Sequence, residues 1–211
     1  MRYQDARAAG RALAEGLAAY DARERTTVVA VARGGVAVAL EVSNRLGLPL
    51  DLLLLRRLLV TRGPLEPVCA ANVAGTPFLD DELARPDAAE PALVPFVADA
   101  LADLESRTRA CRGTRPPAEL KGRTVLLVDN GVRTGSTMLA ALRALRSCAP
   151  GRVVAAAPVA APEALAVVRA AADEFIYLST PDPFGHVGLW YSDFTRPSDD
   201  DIRAMLKEAE K

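Results

Sequence analysis

Residues 122–137 constrain the fold of this chain more than any other stretch. Thr124 to Val128 is a continuous apolar run led by β-branched residues, too short for a helix and bounded by Gly122 and Gly131, which predicts a strand buried on both faces. The strand ends in Asp129-Asn130 and turns through Gly131-Val132-Arg133-Thr134-Gly135. From Ser136 it opens into a segment where Met138, Leu142 and Leu145 recur at helical spacing. Gly131 and Gly135 permit backbone angles that would strain other residues, so N–H groups can converge on one point at a helix N-terminus, where the macrodipole favours an anion. Thr134, Ser136 and Thr137 add hydroxyls to the same concavity. Asp129 and Asn130 stand at the carboxyl end of the strand, where open α/β sheets bind ligands, and their paired oxygens suit two adjacent ribose hydroxyls. The segment asks for a sugar phosphate. It is not a P-loop, because Gly135 is followed by Ser136 rather than lysine, and no G-x-G-x-x-G dinucleotide fingerprint occurs.

Two earlier segments have related equipment. Thr27 to Ala32 predicts another short buried strand, followed by Arg33-Gly34-Gly35 and a helix from Val36 to Leu46 that stops at Gly47. An arginine with two glycines between strand and helix offers a cation together with free backbone N–H groups, which suits a pyrophosphate. Standing alone it would read equally as a plain helix-entry turn with a solvated arginine. Leu50 to Leu58 is an apolar strand that delivers Arg56 and Arg57 at its end. Arg62 follows in a stretch broken by Gly63, Pro64 and Pro67. Its bland reading is a solvated charge pair ending a strand.

Helical and strand patterns alternate along the chain, as they do in α/β proteins. A helix is expected over 5–19, strands over 27–32 and 50–55, a hairpin or loop over 60–78, and an irregular proline-rich connection over 76–95. Leu93, Val97, Leu101 and Leu104 mark a helix to about Cys111, and Pro116-Pro117 break it before the sugar-phosphate strand. Later strands are expected over 152–157 and 174–178 with a helix over 162–172 between them, and Asp199-Asp200-Asp201 open a last amphipathic helix.

In order and spacing these segments resemble type I phosphoribosyltransferases. The ribose-phosphate loop of that family is four apolar residues, two acids and a short turn ending in Thr-Gly-x-Thr, matched here by Val125 to Thr137. The resemblance implies that Asp129 and Asn130 hold the ribose hydroxyls and that Arg133, Thr134, Gly135, Ser136 and Thr137 wrap the 5′-phosphate of phosphoribosyl pyrophosphate. It implies that Arg33, Gly34 and Gly35 bind pyrophosphate, often across a non-proline cis peptide. The strand carrying Arg56 and Arg57 would add basic groups and lead into a loop that closes over the site. At the tail, Trp190-Tyr191-Ser192-Asp193-Phe194 resembles the aromatic-aromatic-x-Asp-Phe end of a poorly characterised bacterial group within the family. There Trp190, Tyr191 and Asp193 would meet the acceptor, with the aromatic rings stacking on a planar base or instead plugging the tail against the sheet.

The fold so implied is a central, mainly parallel sheet flanked by helices. It would form one domain over residues 1–211, with a core of about residues 20–180 and a small hood from the N-terminal segment and residues from about 181 to 211. A chain of 211 residues that is half apolar can bury one such core. A net charge of −1 argues against broad nucleic-acid or membrane binding. No apolar run approaches about 18 residues and no signal-peptide pattern opens the chain, so the expected compartment is the cytoplasm. The cysteines number three, without C-x-x-C spacing, and His186 is the one histidine, so a zinc site has no support; His186 reads as a loop residue. The resemblance leaves a homodimer open.

The implied reaction is displacement of pyrophosphate from ribose C1 by a small, unidentified acceptor, usually through a nitrogen. Mg²⁺ is expected because pyrophosphate carries more charge than Arg33, Arg56 and Arg57 offset; it would be held mainly by substrate oxygens, with Asp129 acting indirectly. Two residues depart from the family pattern. Asn130 stands where a second acid is usual, and Arg133 where a small or acidic residue is usual. A hydrogen bond to a charged acceptor is worth roughly 1.5–3 kcal/mol and a neutral one about 0.5–1.5, so ribose binding should survive asparagine. A missing carboxylate beside a developing oxocarbenium, however, removes stabilisation that matters only in the transition state. Three readings therefore stand: a transferase, a non-catalytic phosphoribosyl pyrophosphate sensor, and a hydrolase-like enzyme on a related sugar phosphate.

Overall fold

A computed structural model describes residues 2–21, 24–58, 68–79 and 94–210. Its strands are β1 (Thr26–Ala32), β2 (Leu50–Leu58), β3 (Val68–Val73), β4 (Thr76–Leu79), β5 (Thr124–Val128), β6 (Arg152–Val159) and β7 (Glu174–Ser179). They form one seven-stranded sheet in the order β4-β3-β2-β1-β5-β6-β7. β2, β1, β5, β6 and β7 run parallel, while β3 and β4 add an antiparallel edge. Helices α1 (Ala6–Gly16), α2 (Val36–Leu46), α3 (Val94–Arg112), α4 (Ser136–Arg146), α5 (Pro162–Ala171) and α6 (Asp199–Glu208) flank it. This is the mixed α/β architecture implied by the resemblance.

The period-two alternation of strand side chains divides the core into two layers. Val28 and Ala30 of β1, Leu52 and Leu54 of β2, and Leu126 and Val128 of β5 face α1, α2, α3 and α6. Val29, Val31, Leu53, Val125 and Leu127 face α4 and α5 on the other side. Both faces are covered, which is why these strands read as continuous apolar runs. A smaller third cluster joins the two ends of the chain, with Tyr3, Phe184 and Tyr191 packed on Val159.

Boundaries differ from the sequence reading in physically simple ways. The first helix stops at Gly16 rather than 19, where the chain tightens into a 3₁₀ turn over Ala18–Tyr20. β2 runs on past 55 to Leu58, with Arg56 and Arg57 in its last residues, because β3 pairs antiparallel with that segment (Arg56 opposite Ala70, Arg57 opposite Cys69). The expected hairpin exists as β3 and β4, and residues 76–79 of the expected irregular connection form its edge strand. Residues 59–67, which include Arg62, and 80–93 lie outside the described residues. No helix of the described residues is long and apolar enough to cross a membrane.

Candidate functional site

β1 and β5 are hydrogen-bonded neighbours in register, Ala30 opposite Val128, so the loops that leave their carboxyl ends emerge side by side. The chain departs from β1 toward β2 on one side and returns as β5 on the other, which makes this the switch point where open α/β sheets leave a crevice. A cavity of about 470 Å³ occupies it, walled by Arg33 and Gly34 from the first loop and by Asp129 to Met138 from the second.

The second loop is held from beneath. Val132 donates to the Val159 carbonyl at 2.9 Å and its own carbonyl accepts from Ala161 at 2.8 Å, fastening the turn to the end of β6. A side chain at Gly131, which lines the cavity, would meet Val187 and Val159 at under 3 Å, so glycine is what lets the loop pack closely on both. Gly135 has φ +82° and precedes the first turn of α4; Ser136, Thr137 and Met138 of that turn line the cavity, and the Thr134 and Ser136 hydroxyls lie 3.0 Å apart. The start of α4 with its hydroxyl-bearing residues and the exposed Arg133 thus line the same cavity.

Asn130 connects the two loops. A Cβ added to Gly34 would lie 2.6 Å from the Asn130 amide nitrogen, so glycine at 34 is what allows the carboxamide to sit against the Arg33-Gly34 turn. The Ala32–Arg33 peptide is cis. Gly35 does not line the cavity; its Cα packs against the ends of β1 and β5, with the Val128 carbonyl oxygen 2.6 Å from where a Cβ would be. Asp129 is buried, 8% exposed, and burial pushes its carboxyl up to about 7 against the opposing effect of the Asn130 N–H it accepts at 2.8 Å.

Other residues singled out in the sequence are placed differently. Arg33 reaches the cavity wall and also stands 3.5 Å from Asp199, which Arg107 grips with two hydrogen bonds at 3.2 Å; Arg107 foremost, and Arg33 with it, hold the Asp199 carboxyl below its ordinary range. Arg56 pairs with Asp103 at 3.4 Å and does not line the cavity. The side chain of Arg57 lies outside the described residues. Trp190 and Tyr191 do not line it either: the indole donates to the Phe184 carbonyl at 3.1 Å, and Tyr191, 1% exposed, packs on Tyr3. The geometry favours the plug over the base platform for both. Asp193 borders a smaller adjoining cavity of about 190 Å³, between Asp5 to Arg7 and residues 193–197.

Sequence reasoning missed Arg196, which lines both cavities, and gave His186 no place beside the larger one that it borders. No local pattern marks either, since both lie in irregular chain whose position is set by the packing of the tail. Phe194, the last residue of the aromatic motif, borders both cavities and is 38% exposed.

A family model described as "Phosphoribosyl transferase domain" matches residues 2–191. Two Mycobacterium tuberculosis proteins, each named "Putative phosphoribosyl transferase", are 35% identical over 210 residues. That match covers 99% of this chain and 47% of theirs, so the chain spans about half the length of these curated relatives. Among solved structures, TT1426 from Thermus thermophilus is 41% identical with a TM-score of 0.82, covering 99% of both chains. A hypothetical protein from Neisseria gonorrhoeae, solved with bound ppGpp, is 14% identical with a TM-score of 0.51, covering 99% of this chain and 98% of its own, a likeness of fold alone.

Proposed function

This chain belongs to the phosphoribosyl transferase family, and we propose that it moves 5-phosphoribose from phosphoribosyl pyrophosphate to a small nitrogenous acceptor, releasing pyrophosphate. The observation that carries the proposal is the convergence of an Arg-Gly turn and a hydroxyl-rich helix-entry loop on one cavity, with Asn130 touching both. Two phosphate-binding devices separated by a pair of polar side chains match a ribose with a phosphate at each end.

In this reading, the α4 amides with Arg133, Thr134, Gly135, Ser136 and Thr137 take the 5′-phosphate, and Asp129 with Asn130 takes the ribose hydroxyls. Arg33 and the Gly34 backbone take the pyrophosphate, with Gly35 letting the turn pack on the sheet. Arg56 would have to leave Asp103 to join them, and Arg57 is the neighbouring candidate. A nucleophilic nitrogen attacks C1 as the C1–O bond to pyrophosphate breaks, so the protein mainly orients the sugar and neutralises the leaving group. The smaller cavity beside Phe194, Asp193 and Arg196 is the place for the acceptor.

Mg²⁺ fits this site as part of the substrate complex: the larger cavity offers one carboxyl, Asp129, and among the described residues no three His, Cys, Asp or Glu side chains gather to hold a metal ion. The ion would offset phosphate charge that Arg33 leaves uncompensated, with Asp129 reaching it through water.

One observation favours a second reading, a sensor that binds without turnover. With asparagine at 130, the one acid at the end of β5 is Asp129, and burial pushes it up to about 7, so it is only partly ionised at neutral pH and less negative charge stands beside C1 to stabilise an oxocarbenium. Pyrophosphate release from phosphoribosyl pyrophosphate and Mg²⁺, measured with and without a panel of nitrogenous bases, separates the readings. Release that requires a base supports transfer; binding without release supports the sensor; release in water alone supports hydrolysis.

A further inference from the structure

The hydroxyl of Tyr191 donates to the main-chain carbonyl of Asn130, a residue 61 positions away in the sequence. A phenylalanine would fill the same volume among Tyr3 and Phe194, whose ring centroids lie 5.9 and 5.3 Å from that of Tyr191. Packing therefore accounts for the ring and not for the oxygen. Buried phenols are usually hydrogen-bonded, and this one takes its acceptor from the sugar-site loop, whereas the Tyr3 hydroxyl beside it is buried with no hydrogen-bond partner among the described residues.

The anchor behind that hydroxyl is firm. The Tyr191 carbonyl accepts from two nitrogens of the Arg2 guanidinium at 3.1 and 3.0 Å. Tyr3 donates its N–H to the Trp190 carbonyl at 2.8 Å, and its carbonyl accepts from Ser192 at 2.8 Å. Asn130 is thereby restrained on three sides: its N–H by Asp129, its carbonyl by Tyr191, and its carboxamide against Gly34. Burial foremost, then the nearby Asp129, pushes the Tyr191 phenol above its ordinary range, so it remains a donor at neutral pH.

We propose that Tyr191 is a positioning residue for the sugar site: its hydroxyl fixes the Asn130 peptide and so aims the Asn130 carboxamide at the ribose. The aromatic-aromatic-x-Asp-Phe tail then has two jobs, with the second aromatic holding the ribose loop and Phe194 bordering the cavities. This inference rests on the sugar-phosphate reading of the site.

The test is calorimetric binding of ribose 5-phosphate and, separately, of pyrophosphate, each with Mg²⁺, to the wild type and to Tyr191→Phe. The variant should bind ribose 5-phosphate about three- to tenfold more weakly, as loss of one neutral hydrogen bond implies, with pyrophosphate affinity changed less than about twofold. In an Asn130→Ala background, Tyr191→Phe should add less than about twofold, since nothing remains to be aimed. Unchanged ribose 5-phosphate binding overturns the proposal, and so does an equal loss for both ligands accompanied by a lower melting temperature, which would mark a packing role. If the wild type binds neither ligand, the sugar-phosphate reading itself fails, and this inference with it.

Discussion

Asp129 sits at the carboxyl end of β5 in an environment that opposes its charge, and this sets a pH dependence for the folded protein. An ordinary aspartate titrates near about 3.9 in the unfolded chain, whereas burial holds this one at about 7. A carboxyl whose folded value is raised binds more protons when folded, so its contribution to stability is fully present below about 4 and is lost as pH rises toward 7. Asp129→Asn should therefore stabilise the protein at pH 8 by on the order of 4 kcal/mol and flatten the decline between about pH 4 and 7. The Asn130 N–H keeps an acceptor in that variant, because the asparagine carbonyl can take the place of the carboxylate. Denaturation curves at several pH values check this, and an identical pH profile in both proteins would contradict it. The loop residues that line the larger cavity were legible in the sequence because Asp129 to Thr137 are contiguous and their chemistry is local. Tyr191 and Arg196 were not, since their relation to Asn130 and to the cavities depends on chain segments that meet only after folding.

At the scale of elements, β2 holds the least expected interaction. Its apolar run contains Asp51, which strand periodicity gives no reason to single out; the structure buries it against Arg112 at the end of α3. The carboxylate also accepts the N–H groups of Leu52 at 2.6 Å and Ala118 at 2.7 Å, so one side chain ties β2, α3 and the approach to β5. Asp51→Ala should destabilise the fold by about 3–5 kcal/mol, because it leaves the Arg112 charge buried and unpaired. Replacing the pair together by apolar residues of similar size should cost much less. Equilibrium unfolding of the single and double variants checks this, and a loss under about 1 kcal/mol in the single variant would contradict it. Strand and helix periodicity revealed the parallel core because both sheet faces are covered. It put Arg56 and Arg57 at the end of β2, and could not show that β3 pairs antiparallel with them, because that pairing carries no further apolar signal.

The whole molecule gathers Arg33, Arg133 and Arg196 around one cavity while its net charge is −1, so positive potential is concentrated where an anionic ligand would dock. The switch point between β1 and β5 was readable as two strand-loop-helix units, but their adjacency comes from sheet order, which neither unit encodes alone. The join between the chain ends, Tyr3 beside Tyr191, likewise belongs to the assembled fold. If this convergence is a phosphoribosyl pyrophosphate site, one titration tests it most directly: phosphoribosyl pyrophosphate with Mg²⁺ added to the wild type, Arg33→Ala and Thr134→Ala in a calorimeter. Saturable binding by the wild type is the expected result, weakened at least about tenfold in Arg33→Ala and about threefold in Thr134→Ala, as loss of a charged and a neutral hydrogen-bond donor requires. Absence of saturable binding by the wild type, or equal binding by all three proteins, would contradict it.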